Sequence, residues 1–99
     1  MLDGEVREAA RRHLARTFGL PVDEMQDHRA FFRDLGQACA PGFDAYTRVY
    51  DDLLAVAHPR LEHDLRHGTL LVASVGTYCD MVAASYLHDR AKVAAVIAL

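Results

Sequence analysis

The side chains in this sequence best suited to chemistry are two cysteines and a run of histidines, His58, His63 and His67. Cys39 stands just ahead of an expected helix start, where a helix dipole lowers a thiol's pKa and a thiolate can hold an acyl group. Pro41 and Gly42 separate it from that helix, and His28 is the one histidine near it in sequence, so it reads as an ordinary loop cysteine. Cys79 falls on an apolar helical face and reads as core. His63 and His67 lie four positions apart on one helix face, with Glu62 and Asp64 beside them. A zinc site takes three or four convergent ligands with an oriented outer shell, and two histidines supply half of that. No metal is therefore expected. His13 and His88 are expected at partly buried or surface positions on their helices. No Ser–His–Asp or Cys–His grouping, glycine-rich phosphate loop or carboxylate pair stands out, and no independent enzymatic activity is expected.

The elements that position these groups read as helices. Val6, Ala10, Leu14 and Phe18 recur every four residues over Asp3–Phe18, and Gly19 supplies a stop. The opposite face carries Arg7, Arg11, Arg12 and Arg16, expected to be a solvated face offset by Glu5 and Glu8. Residues 20–40 form a long connection with apolar anchors at Leu20, Val22, Met25, Phe31, Phe32 and Leu35. Leaving either aromatic in water forfeits roughly 1.5–3 kcal/mol, so at least one is expected to plug the core. A short helical turn fits 21–25. A second helix fits 42 to about 57, burying Phe43, Tyr46, Val49, Tyr50 and Leu53, with Arg48, Asp51 and Asp52 pointing outward. His58-Pro59 ends it. A short third helix fits 59–67, opened by proline and closed by Gly68. Ser74 is a suitable N-cap for a last helix starting at Val75, whose apolar face runs through Tyr78, Val82, Tyr86, Val93 and Ile97. Residues 91–99 are apolar nearly all round, which fits either a segment tucked onto the bundle or a patch for a partner.

The totals limit the functions on offer. A chain of 99 residues is one domain, and 52% apolar residues with much alanine and no tryptophan favour an all-α bundle. A net charge of −3 argues against a nucleic-acid binder that relies on bulk positive charge. No run of about 18 apolar residues offers a membrane span. Asp3, Glu5 and Arg7 interrupt any leader near Met1, so a cytoplasmic module is expected.

Several stretches together resemble the acyl carrier protein family. Carriers place an aromatic residue and then Asp-Leu-Gly before the serine that bears phosphopantetheine, and Phe31-Phe32-Arg33-Asp34-Leu35-Gly36 is similar to that run. Phe43-Asp44 resembles the hydrophobic residue and acid that open the carriers' second helix. Leu71-Val72-Ala73-Ser74-Val75-Gly76 resembles the link into their last helix, and Gly19-Leu20-Pro21-Val22-Asp23-Glu24-Met25 the loop after their first. The resemblance covers about residues 3–87. It implies a four-helix bundle with a long anchored loop after the first helix and a short third helix. It also implies that the second helix docks partner enzymes, through Asp44, Arg48, Asp51 and Asp52.

The sequence departs from carriers at the slot for the serine. Counted forward from Asp-Leu-Gly the slot falls on Cys39, and counted back from the second helix it falls on Gly42. The two serines present, Ser74 and Ser85, lie elsewhere. A carrier's hydroxyl must attack the diphosphate of coenzyme A, and neither Cys39 nor Gly42 supplies one. The expectation is a non-catalytic pseudo-carrier, without cofactor, that docks an enzyme of polyketide, fatty acid or nonribosomal peptide assembly. The alternatives are an unusual carrier holding a thioester on Cys39, or a helical module that dimerises through residues 91–99.

Overall fold

Burial of one face accounts for each helix in the computed structural model, which describes residues 3–35, 42–68 and 72–98, without the side chains at 32, 33 and 42–45. Positions 36–41, Cys39 among them, lie outside the described residues. Helix α1, Asp3–Phe18, buries Val6, Ala9, Ala10, Leu14, Ala15 and Phe18. Gly19 ends it at φ 67°, a left-handed conformation that costs glycine nothing, while Leu20 N–H donates back to Ala15 O at 3.0 Å.

The connection after α1 is folded down onto the helices rather than left free. A 3₁₀ turn, Val22–Glu24, leads into Met25, which is wholly buried. Ala30 forms an isolated antiparallel bridge with Ser74, in which Phe31 N–H donates to Ala73 O at 3.1 Å and Val75 N–H to Arg29 O at 3.0 Å. A π-helical turn, Phe31–Leu35, follows and buries both of its ends. Phe31 stacks on Phe18 at 5.8 Å and meets Tyr46 edge-on at 5.6 Å, so this aromatic plugs the core. Asp34 Oδ2 accepts the Ala30 N–H at 2.8 Å, which closes the turn on itself. Of the expected anchors, Val22 is not one, being 40% exposed at the head of the 3₁₀ turn.

Helix α2, Gly42–Val56, buries Val49, Leu53 and Val56, and its Tyr46 hydroxyl donates to Val72 O at 3.1 Å. Helix α3, Pro59–Arg66, is capped by His58, whose Nδ1 accepts the Leu61 N–H at 3.3 Å. The Tyr50 hydroxyl donates to Leu65 O and ties the end of α3 to α2. Helix α4, Val75–His88, starts at Ser74 as the sequence predicts and packs along α1.

The expected single last helix is broken. Asp89 leaves the helical region at φ −151°, ψ 96°, and its carboxylate accepts the Lys92 N–H at 3.1 Å, opening helix α5, Arg90–Ala94. Aspartate caps a helix better than it continues one, because its carboxylate competes for nearby backbone N–H groups. Val93 and Ile97 turn into the core with no exposed surface, so this segment tucks onto the bundle. The described residues are mostly helical, with five α-helices and no strand among them, so the four expected helices become five. None of these helices is long and apolar enough to cross a membrane.

Candidate functional site

Helix α2 presents the residues that sequence reasoning singles out for docking, and the structure divides them. Arg48 and Asp51 are exposed on its outer face. Asp52 is not part of that surface. Its Oδ2 lies 2.7 Å from His13 Nε2 on α1, and the two side chains are only 31% and 17% exposed. One helical step turns Asp52 from the outer face towards α1, where His13 meets it, so this acid pins α1 to α2. The side chain of Asp44 lies outside the described residues. Gly42 is the first residue of α2.

Neither serine is presented to a modifying enzyme. Ser74 Oγ accepts the Thr77 N–H at 3.3 Å and caps α4. Ser85 has no exposed surface, and its hydroxyl is enclosed without a hydrogen-bond partner. Cys79 is equally enclosed, and burial pushes its thiol up to about 11. A thiol so shielded stays protonated at neutral pH and is a poor nucleophile.

Sequence reasoning missed an ion cluster. Arg7 and Arg11, expected on a solvated face, are only 21% and 16% exposed at their side chains. Arg7 donates to Asp80 of α4 and lies 3.4 Å from Asp27, while Arg11 reaches Asp27 at 2.7 Å, Glu8 at 3.1 Å and the Met25 carbonyl. The Arg11 hydrogen bond, and then the charges of both arginines, hold the Asp27 carboxyl below the ordinary aspartate range. Arg12 and Arg16 do face solvent. The four-residue spacing of Arg7 and Arg11 is visible in the sequence, but the partner they share, Asp27, comes from a loop that no periodicity reports. Beside Arg11 opens a cleft of about 300 Å³, lined by Glu8, Val22, Asp23, Met25 and Gln26. The Arg11 guanidinium already serves Glu8, Asp27 and Met25, so the cleft does not offer a spare cation for an anion.

The histidines fall in two places. His63 and His67 bring their ring centroids to 4.1 Å, and His58 approaches His88 at 5.6 Å. No group of three or more His, Cys, Asp or Glu converges as a metal set among the described residues. Compared with protein families, with curated proteins and with solved structures, the chain finds no match.

Proposed function

We propose that the protein is a non-catalytic, acyl-carrier-like docking module that serves an enzyme of polyketide, fatty acid or nonribosomal peptide assembly in the cytoplasm. It is not itself loaded with phosphopantetheine. The observation that carries the unloaded state is the fate of the two serines: one is spent as a helix cap and the other is sealed in the core. The order of elements supports it, with a long first helix, an anchored connection, a second helix with charges outward and a short third helix. Docking acts through Arg48 and Asp51, exposed charges of opposite sign that orient a partner bearing the complementary pair. Such rim charges govern encounter and register more than final affinity. Self-association through the C-terminal segment is not part of the proposal, since Val93 and Ile97 are spent in the chain's own core.

Two measurements test it. After incubation with coenzyme A and a broad-specificity phosphopantetheinyl transferase, the intact mass is expected to stay unchanged; a gain of one phosphopantetheine refutes the unloaded state. In competition with a genuine carrier for its condensing enzyme, Arg48→Glu and Asp51→Lys are each expected to weaken the protein as a competitor. Asp52 is left intact because it holds His13. Equal competition by both variants removes the docking surface from α2.

A further inference from the structure

Helix α3 ends in a pair of imidazoles with the spacing of a chelate. His63 and His67 are both exposed, four residues apart, and the His67 N–H donates to His63 O at 3.0 Å, so the last turn fixes the spacing of their backbones. Their rings stand 4.1 Å apart between centroids, tilted by 57° rather than stacked. The neighbouring acids are otherwise engaged: Glu62 pairs with Arg66 at 3.1 Å, and Asp64 lies 4.0 Å from Arg60. The backbone that carries the pair is already rigid, because Leu65 is buried between them and its carbonyl accepts the Tyr50 hydroxyl. With the backbone held, an ion that bridges the pair has only the side-chain freedom of two imidazoles to fix.

We propose that His63 and His67 form a two-histidine site for a late first-row divalent metal ion, copper or nickel in preference to zinc. The preference follows from angle. A metal–nitrogen bond of about 2.05 Å and a ring radius of about 1.1 Å put each centroid about 3.2 Å from the ion. With one nitrogen of each ring turned to a shared ion, rings 4.1 Å apart subtend about 80° at the metal. Neighbouring positions of a tetragonal or octahedral ion subtend about 90°, reached when the rings part by about 0.4 Å, whereas a tetrahedral zinc needs them to part by about 1 Å. Water fills the remaining positions. Zinc also gains least here, because a closed tetrahedral site wants ligands this surface does not supply.

The test is calorimetric titration of untagged protein with nickel chloride alone. One ion per chain is expected to bind, with zinc weaker. His63→Ala and His67→Ala are each expected to weaken binding about 100-fold or more, because the second imidazole acts at the high effective concentration of a tethered ligand. His28→Ala, an exposed histidine outside the pair, is expected to bind as the native chain does. Circular dichroism checks that each variant keeps its helices. No binding to the native chain, or binding that survives either alanine, overturns the site.

Discussion

Gly76 tests whether the long connection truly rests on α4. It sits in the first turn of that helix, where replacing glycine by alanine ordinarily stabilises by up to about 1 kcal/mol. A Cβ placed there would stand 3.0 Å from Asp27 O and 3.1 Å from Asp27 Cβ. The loop has little freedom to retreat. Asp27 O accepts the Gly76 N–H at 3.0 Å, Arg29 O accepts the Val75 N–H at 3.0 Å, and the Asp27 carboxylate is held by Arg11. Overpacking against fixed neighbours costs about 1–3 kcal/mol, so the balance for Gly76→Ala is a net loss of about 1 kcal/mol. For a domain of this size that lowers Tm by about 4–8 °C. Gly4 is the control: it lies in the first turn of α1, and a Cβ there meets nothing within 4 Å, so Gly4→Ala is expected to raise Tm slightly. Thermal and urea melts of the two variants decide the matter. If Gly76→Ala stabilises as much as Gly4→Ala, the connection does not press on α4 and the account of the bridge at Ala30 and Ser74 is wrong.

The ion cluster and the buried thiol give two more expectations. Because the folded protein holds the Asp27 carboxyl below its ordinary range, its contribution is fully present above about pH 3.9 and is lost as pH falls through the lower folded value. The side chain is 57% exposed, so screening keeps that contribution under about 1 kcal/mol. Asp27→Asn should therefore melt lower than the native chain at neutral pH and converge with it in acid; a constant gap across the titration refutes the charge pairing. A thiol reagent at neutral pH should leave Cys79 unmodified in the folded protein and reach it only in denaturant. If Cys79→Ala removes labelling from the native state, the burial is wrong; if labelling is unchanged, any fast-reacting thiol is Cys39.

The helices were legible because each declares one face and its ends. The four-residue apolar spacing from Val6 to Phe18, proline at 59 with Gly68 beyond, and Ser74 before Val75 all correspond to structural boundaries. The break at Asp89 was hidden because the apolar face continues through Val93 and Ile97 on both sides of it. Only the local competition between cap and helix, settled by the Lys92 N–H, decides that position. The fates of Asp52, Arg7 and Arg11 were illegible for a different reason. Whether a charged side chain looks outward depends on what another element brings to it, and His13, Asp80 and Asp27 arrive from far along the chain. Composition and period describe a helix's own faces, not the neighbours those faces meet.

Lys92 carries a consequence for what holds helix α5 in place. Its Nζ donates to Ala57 O at 2.7 Å, placing an ammonium on a carbonyl just past the last turn of α2, where the helix dipole is negative. Helix α5 is too short to hold itself together, and its docking contacts lie with α4 and with this end of α2. The acceptor exists in position only once α2 has formed and packed. Residues 90–94 therefore keep their helical shape through α4 and α2 rather than through their own propensity, and the amine is the latch that ties them to α2.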